Sequence, residues 1–400
     1  MIKTITIIGG GVIGCAIAYE ISKKSGSEIY VLERNLRINA ENQSSRNSGV
    51  IHAGIYYPKS KLPLKARLCV EGNKLLYDFC QEHNVPHKRT GKLVVATNSL
   101  EEEYIDDILK TALDNGILDA RKLTGEEAMH MEPNVKSISA AYLPSTGIIE
   151  PAVFVRTLQR LAEGNGVFFV TGNKVVHISP YNKFQVTTES NNQTETIETD
   201  IVINAAGLYS DEIAKMVNPD SPYEIDPVRG ESAKFYDAKT QLSMNGMNVY
   251  PAPYGYYTDT GKTAEVSFSE YQKLLQEKKV KKTVGVHLTP TFDIVGGEYV
   301  IGKTVTIGPA YTVNVGKEDY SSNLHEEKHY LKKVSHFFPN LRLEDITLHQ
   351  AGIQAKLKDH CDFEIERDSK YPNFINAVGI DSPGLTASLA IAKYVNEMMK

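Results

Sequence analysis

The sequence predicts an α/β fold, and three features of its N-terminal stretch predict it. Thr4 to Ile8 is a short run of β-branched apolar residues, the composition of a strand buried on both faces. Gly9, Gly11 and Gly14 follow as G-x-G-x-x-G, and Val12 to Ile21 carries apolar residues at helical spacing. A second strand, Glu28 to Leu32, then ends at Glu33. Strand, glycine turn, helix and strand in that order make a Rossmann-like βαβ unit.

Each part of that unit has a mechanical role. Gly9 permits the tight turn, Gly11 lets the backbone approach a pyrophosphate, and Gly14 lets helix and strand pack closely. Val12 and Ile13 open the helix, whose unpaired N–H groups and positive dipole end face the phosphates. Glu33 stands about 20 residues beyond Gly14, where a carboxylate accepts from ribose hydroxyls, and Arg34 follows it. An acid at that position argues against a 2′-phosphate, and so against NADP.

After Glu33 the strand–helix alternation stops. A polar loop runs from Asn35 to Asn47, then Val50 and Ile51 begin a short apolar run. Ser44, Ser45, Asn47 and Ser48 offer donors for phosphate and ribityl oxygens, and Arg46 offers charge. That pattern suits a flavin, which has a long polar tail to hold and a ring to bury. Further on, Asp200 to Gly207 is a strand running into Ala205, Ala206 and Gly207, either a close pass by a ligand or a tight strand-to-helix turn. Near the C-terminus, Phe374 to Val378 leads through Ser382, Pro383 and Gly384 into a helix from about Leu385, with Thr386 and Ser388 in its first turn. Three separate backbone-approach loops fit one long cofactor, FAD, better than a nicotinamide site.

Bulk composition narrows the field. The 400 residues suggest about two domains. Hydrophobic residues at 41% and charged residues at 23% are ordinary for a globular chain, and a net charge of −5 gives no basic face for nucleic acid. Cys15, Cys69, Cys80 and Cys361 form no C-x-x-C pair and no metal-like cluster, so reduced thiols in a reducing compartment and no metal are expected. The first apolar run is broken by glycines and lacks the basic flank of a signal peptide, and no stretch approaches the roughly 18 apolar residues of a membrane span. The expected location is the cytoplasm, with peripheral membrane contact left open. Residues 190–198, SNNQTETIE, read as a hairpin tip or exposed loop.

Ten stretches together carry a resemblance: IIGGGVIG, NSGVIHAGIYY, LKARLCVEGNKLLYDFC, TGKLVVAT, NAAGLYSD, PVRGE, NVYPAP, GVHLTP, AGIQAK and DSPGLTASLAIA. Nearly end to end, the chain resembles the flavin-dependent oxidoreductases of the D-amino acid oxidase and glycine oxidase superfamily. NSGVIHAGIYY and GVHLTP are similar to its L-2-hydroxyglutarate dehydrogenase/oxidase branch. The resemblance implies a discontinuous FAD-binding domain, residues 1–90, 147–215 and 340–400, and an α+β substrate domain, residues 91–146 and 216–339, built on an antiparallel sheet. It places Val175 beside the adenine through its backbone, and Ala205, Ala206 and Gly207 along the ADP part. It sets Gly352, Ile353, Gly384 and Leu385 at the isoalloxazine and ribityl chain. The implied activity is FAD-dependent oxidation of a small 2-hydroxy acid, with hydride transfer to flavin N5 and oxygen, a quinone or a redox protein as electron acceptor. Amine or amino-acid oxidation, glycerol-3-phosphate oxidation and a non-catalytic flavin redox sensor stand as alternatives.

Oxidising a hydroxy acid also requires the hydroxyl proton to leave, and histidine is the natural base near neutrality. His52, after an apolar strand, and His287, mid-strand in VGVHLTP, stand out, with base and hydrogen-bond donor both open as roles. A dicarboxylate substrate calls for cations. Arg229 in DPVRGE is a candidate, or else a surface loop arginine. Tyr56, Tyr57 and Tyr250 either donate hydroxyls or pack in the core. Where the resembled family reads G-[IV]-R-A-Q, this chain reads Gly352-Ile353-Gln354-Ala355-Lys356: Gln354 replaces an arginine, and Lys356 offers charge on the same strand face. Tyr254 to Lys282 is longer than the family's loop and ends in an amphipathic helix candidate with Lys278, Lys279, Lys281 and Lys282. That cluster is either a solvated face or a docking surface for a membrane or an electron-acceptor protein.

Overall fold

A computed structural model describes residues 2–24, 26–38, 42–257 and 266–399. The βαβ unit forms as its sequence dictates. Thr4–Ile8 runs into the helix Val12–Ser22, and Glu28–Glu33 returns parallel to it. These strands sit inside a six-stranded sheet that continues through Phe168–Thr171 on one side. On the other side lie Ile201–Asn204 and Phe374–Val378, all parallel, and antiparallel Glu364–Arg367 closes the edge. The apolar strands are buried on both faces: helices Val12–Ser22, Pro63–Glu82, Pro151–Gly164 and Gly384–Met398 cover one, and helix Ser210–Val217 with the strands Lys174–Pro180 and Phe184–Ser190 covers the other. Ile7, Ile17, Phe154, Leu158, Ile203 and Ile391 make the centre of that core.

The second sheet has eight strands, in the order Thr347–Leu357, Ile225–Tyr236, Glu298–Thr312, His287–Val295, Asn248–Pro251, Lys92–Ala96, Ser139–Leu143 and Arg121–Thr124. Its pairings are antiparallel except Asn248–Pro251 with Lys92–Ala96. Side chains alternate across it. Leu93, Val95, Val249, Leu288 and Ile307 face a core closed by Tyr330, Val334, Phe337 and Phe338 around the helix Glu327–Val334. Lys92, Val94, Tyr250 and His287 lie on the opposite face.

One local expectation is sharpened, a hairpin tip within 190–198, and another changes. The segment 190–198 is mostly strand: Phe184–Ser190 and Gln193–Thr199 pair, and the tip is Asn191 and Asn192, both at positive φ, where Asn is tolerated. The amphipathic helix candidate is short, Phe268–Gln276, and ends before Lys278, which lies at φ 58°. Val280–Thr283 then pairs as a strand with Tyr254–Tyr257, so the four lysines do not share a helix face. Residues 258–265 of that segment lie outside the described residues. No helix among the described residues is long and apolar enough to cross a membrane.

Candidate functional site

The site begins at the glycine turn. Gly9 has φ 108°, and a side chain there would meet the Ala205 carbonyl oxygen at 2.4 Å, so the turn and the loop after Ile201–Asn204 touch backbone to backbone. Gly14 lies so close to the strand that a Cβ would fall 1.9 Å from the Gly9 carbonyl oxygen. The Glu33 carboxylate is held by backbone donors, Gly10 N–H at 2.8 Å and Asn35 N–H at 2.9 Å. Ser44 Oγ accepts from the Val12 N–H at 2.8 Å, so the polar loop is bonded directly to the helix N-terminus.

Between the two sheets lies a cavity of about 390 Å³. Gly9, Gly11, Val12, Ile13, Glu33 and Arg34 line one end, with Val175, Ala205, Ala206 and Gly207. Ser44, Arg46, Asn47 and Ser48 line the middle with Gly352, Ile353, Pro383, Gly384 and Leu385. Three expected contacts do not reach the wall. Gly14 is consumed by helix–strand packing. Ser45 Oγ donates to the Asn42 carbonyl. Thr386 is fully buried, its Oγ1 accepting from the His52 N–H at 3.0 Å and donating to the Val50 carbonyl, so it ties the last helix to the strand before His52.

A segment between the sheets closes the Glu33 end. Lys317 pairs with Asp211 and Glu212, Glu318 with Arg34 and Tyr209, and Tyr320 Oη accepts from Gln43. Arg229, on the strand Ile225–Tyr236, grips this segment and corrects the sequence expectation. Its guanidinium is buried and spent internally, on Glu231 at 2.9 Å, Asp319 at 3.1 Å and the Ser322 carbonyl at 2.5 Å, and it does not line the cavity. Lys356 also lies off the wall, its ammonium 5.3 Å from the Tyr311 ring centroid.

The far end gathers His52, Tyr56, Tyr57, Tyr250, His287, Tyr311 and Gln354. His287 stacks on Tyr250 with ring centroids 3.8 Å apart and planes within 9°, and its Nδ1 lies 3.0 Å from Thr289 Oγ1. His52 is fixed through its backbone, its carbonyl accepting from Asn73 Nδ2 at 2.9 Å. Burial, and then the positive charge of Lys92, pull the His52 imidazole down to about 3 and His287 well below its ordinary value. Both rings are neutral at physiological pH, each with a ring lone pair to accept a hydrogen bond, and the same burial and charge lower their basicity. His52 Nδ1, Tyr56 Oη and Gln354 Oε1 are buried without a hydrogen-bond partner among the described residues. Gln354 Nε2 reaches the Tyr311 hydroxyl at 3.4 Å, and the Tyr57 hydroxyl lies 3.5 Å from Ser382 Oγ. Unsatisfied buried polar atoms facing a cavity mark where a ligand completes the bonding.

The sequence reading passed over Lys92, Tyr311 and Asp381. Lys92 is 1% exposed on a strand whose other residues are apolar, a placement at odds with a lysine's solvation that was the available signal. Asp381 lines the cavity and pairs with buried Lys65 at 2.6 Å, while Asp362 accepts from the Leu64 and Lys65 N–H groups. The LKAR and DSPG stretches that carry this pair are far apart in sequence, so nothing local joined them. Among the described residues no group of histidines, cysteines and carboxylates can hold a metal ion.

Comparison with known proteins agrees with this geometry. The family model described as FAD dependent oxidoreductase matches residues 4–398. The chain is 29% identical over 426 residues to the mitochondrial L-2-hydroxyglutarate dehydrogenase of Arabidopsis thaliana, covering 97% of this chain and 82% of that one. It is 28% identical to the L-2-hydroxyglutarate dehydrogenase of Indibacter alkaliphilus, covering 98% of each. Among solved structures it is similar to L-alpha-glycerophosphate oxidase from Mycoplasma pneumoniae with FAD bound, at TM-score 0.82 and 26% identity over 100% of this chain and 95% of that one.

Proposed function

The chain belongs to the FAD dependent oxidoreductases, and on that footing we propose that it oxidises a small 2-hydroxy acid, L-2-hydroxyglutarate or a close analogue, at the His52–His287 end of its cavity. The observation that carries the reading is the pair of neutral, buried imidazoles there, one with an unpartnered Nδ1. A bound substrate hydroxyl meets a neutral imidazole that accepts its hydrogen bond, and the anionic substrate counters the Lys92 charge that lowers the ring's basicity. Tyr56, Tyr57 and Tyr250 present hydroxyls to the carboxylate and hold the carbinol carbon in place.

FAD suits the remainder of the cavity. Glu33 is aimed and held for a ribose diol, the glycine turn leaves room for a pyrophosphate, and Gly352 and Gly384 border the ring end. When bound, the flavin supplies the two-electron oxidising power. Residues 1–90, 147–215 and 340–400 hold it in this reading and 91–146 and 216–339 supply the substrate side, with Thr347–Leu357 crossing over as an edge strand of the second sheet.

Gln354 bears on the exact substrate. The resembled pattern has an arginine there, and neither Arg229 nor Lys356 lines the cavity in compensation. This favours a substrate whose distal end needs no bidentate cation. Anaerobic mixing with 2-hydroxy acids, amino acids and glycerol 3-phosphate tests the whole reading. Bleaching of the flavin by a 2-hydroxy acid is expected; bleaching by amines or glycerol 3-phosphate alone would replace the reading with that activity. Admitting oxygen, a quinone or a redox protein to the reduced enzyme identifies the acceptor by the return of colour.

A further inference from the structure

We propose that Lys92 is the anion-attracting charge of the reactive end, an ammonium held one layer behind the cavity wall that draws the substrate carboxylate toward Tyr250 and His287. This deepens the 2-hydroxy-acid reading and rests on it. The strand carrying Tyr250 lies between the strands carrying His287 and Lys92. The His287 ring stacks 3.8 Å from the Tyr250 centroid, and Lys92 Nζ lies 3.9 Å from the same centroid. Two groups so close to one ring occupy opposite faces, so Tyr250 is sandwiched between imidazole and ammonium. Tyr56 lies on the same charge at 5.3 Å. The cation thus stands behind the tyrosines that line the cavity, and aromatic faces are the part of its surroundings that stabilise it.

That stabilisation is incomplete. No carboxylate pairs with Lys92 among the described residues. The titratable groups around it are His52, Tyr56, Cys69, Tyr250 and His287, all neutral: burial raises Cys69 to about 12 and the tyrosines beyond their ordinary range. A buried ammonium without a counter-ion is costly, and an anion arriving nearby removes that cost. Burial accordingly lowers Lys92 to about 7. The reactive end has no guanidinium at position 354, which leaves Lys92 the cation best placed for a carboxylate. The same charge lowers the basicity of His52 and His287, and an anion that offsets it restores basicity to them, so anion binding and proton acceptance are coupled through one residue.

The sign of the pH dependence follows. Lys92 is charged below about 7 and loses its proton above, so anion binding weakens as pH rises through that range. Holoenzyme is titrated with glutarate, which has no hydroxyl to oxidise, and with its neutral diamide, reading the flavin absorbance from pH 6 to pH 9. Wild type is expected to prefer glutarate and to lose that preference with rising pH. Lys92→Met is expected to bind glutarate roughly tenfold more weakly, flat with pH and with the diamide unchanged, the scale of a unit charge across several ångström at an effective dielectric of about 20. A flavin-replete Lys92→Met that discriminates as wild type does, or a wild type that does not discriminate, overturns the proposal. If Lys92→Met does not hold FAD, NMR of wild-type holoenzyme carrying ¹³C-labelled lysine decides. A Lys92 titration midpoint that rises on adding glutarate supports the assignment, and an unmoved midpoint sinks it. Binding is read rather than turnover, so a failure of 2-hydroxy-acid oxidation shows separately.

Discussion

Glu33 takes one backbone N–H on each carboxylate oxygen and keeps a lone pair on each for a ribose hydroxyl. Glu33→Ala strands both N–H donors and removes charge-assisted acceptors, so FAD affinity should fall by about 1.5–3 kcal/mol, measurable as FAD released on equilibrium ultrafiltration. His52 and His287 call for a different readout. Asn in place of whichever imidazole takes the proton should slow anaerobic flavin reduction by about 10²–10⁴-fold with FAD content unchanged. Wild-type reduction in both variants would make both rings structural. Residues whose chemistry depends on local backbone were legible in the sequence, as the Gly9–Gly14 spacing and Glu33 show. Residues whose state depends on distant partners were not. Arg229 sits between a proline and a glycine like a loop arginine, yet Glu231, Asp319 and Ser322 bury it. Lys92 carries no local signal of its role and is buried against a strand more than 150 residues away in sequence.

Helices Pro63–Glu82 and Gly384–Met398 cross at Gly72, where a Cβ would stand 2.3 Å from the Thr386 carbonyl oxygen and 2.7 Å from Ala387 Cα. The crossing seats Thr386 against Val50 and His52, so helix packing and the reactive end share a contact. Gly72→Ala should cost about 1–3 kcal/mol of stability by overpacking, and the disturbance should reach the flavin as a changed visible spectrum; thermal melting and absorbance check the two. The βαβ unit and the C-terminal helix could be read from sequence because period and glycine placement are local signals. Strand order in the eight-stranded sheet could not. Asn248–Pro251 pairs parallel with Lys92–Ala96, and no composition announces a partner at that separation. The segment after Gln276 shows the competition directly: its lysines suit a helix, but pairing of Val280–Thr283 with Tyr254–Tyr257 takes it into a strand.

On the scale of the molecule, the cavity lies between two sheets with separate cores, and a ligand there joins them. Stripping FAD should lower Tm, and free FAD at a hundredfold excess over Kd should restore about 2.7 kcal/mol, seen as a melting temperature that climbs with FAD concentration. A chain that melts identically with and without FAD would show that the two layers hold each other unaided. The segment that closes the Glu33 end adds a matter of timing. Lys317, Glu318 and Tyr320 are fastened to one layer, and Arg229 of the other grips Asp319 and Ser322. A cofactor that leaves past these fastenings needs several of them to open together, so slow release of FAD on dilution is the expected outcome, read as the return of free-flavin fluorescence. Arrival meets the same obstacle. Loading with FAD is then expected to be faster during assembly than after it, a difference that refolding with FAD present or added later would read.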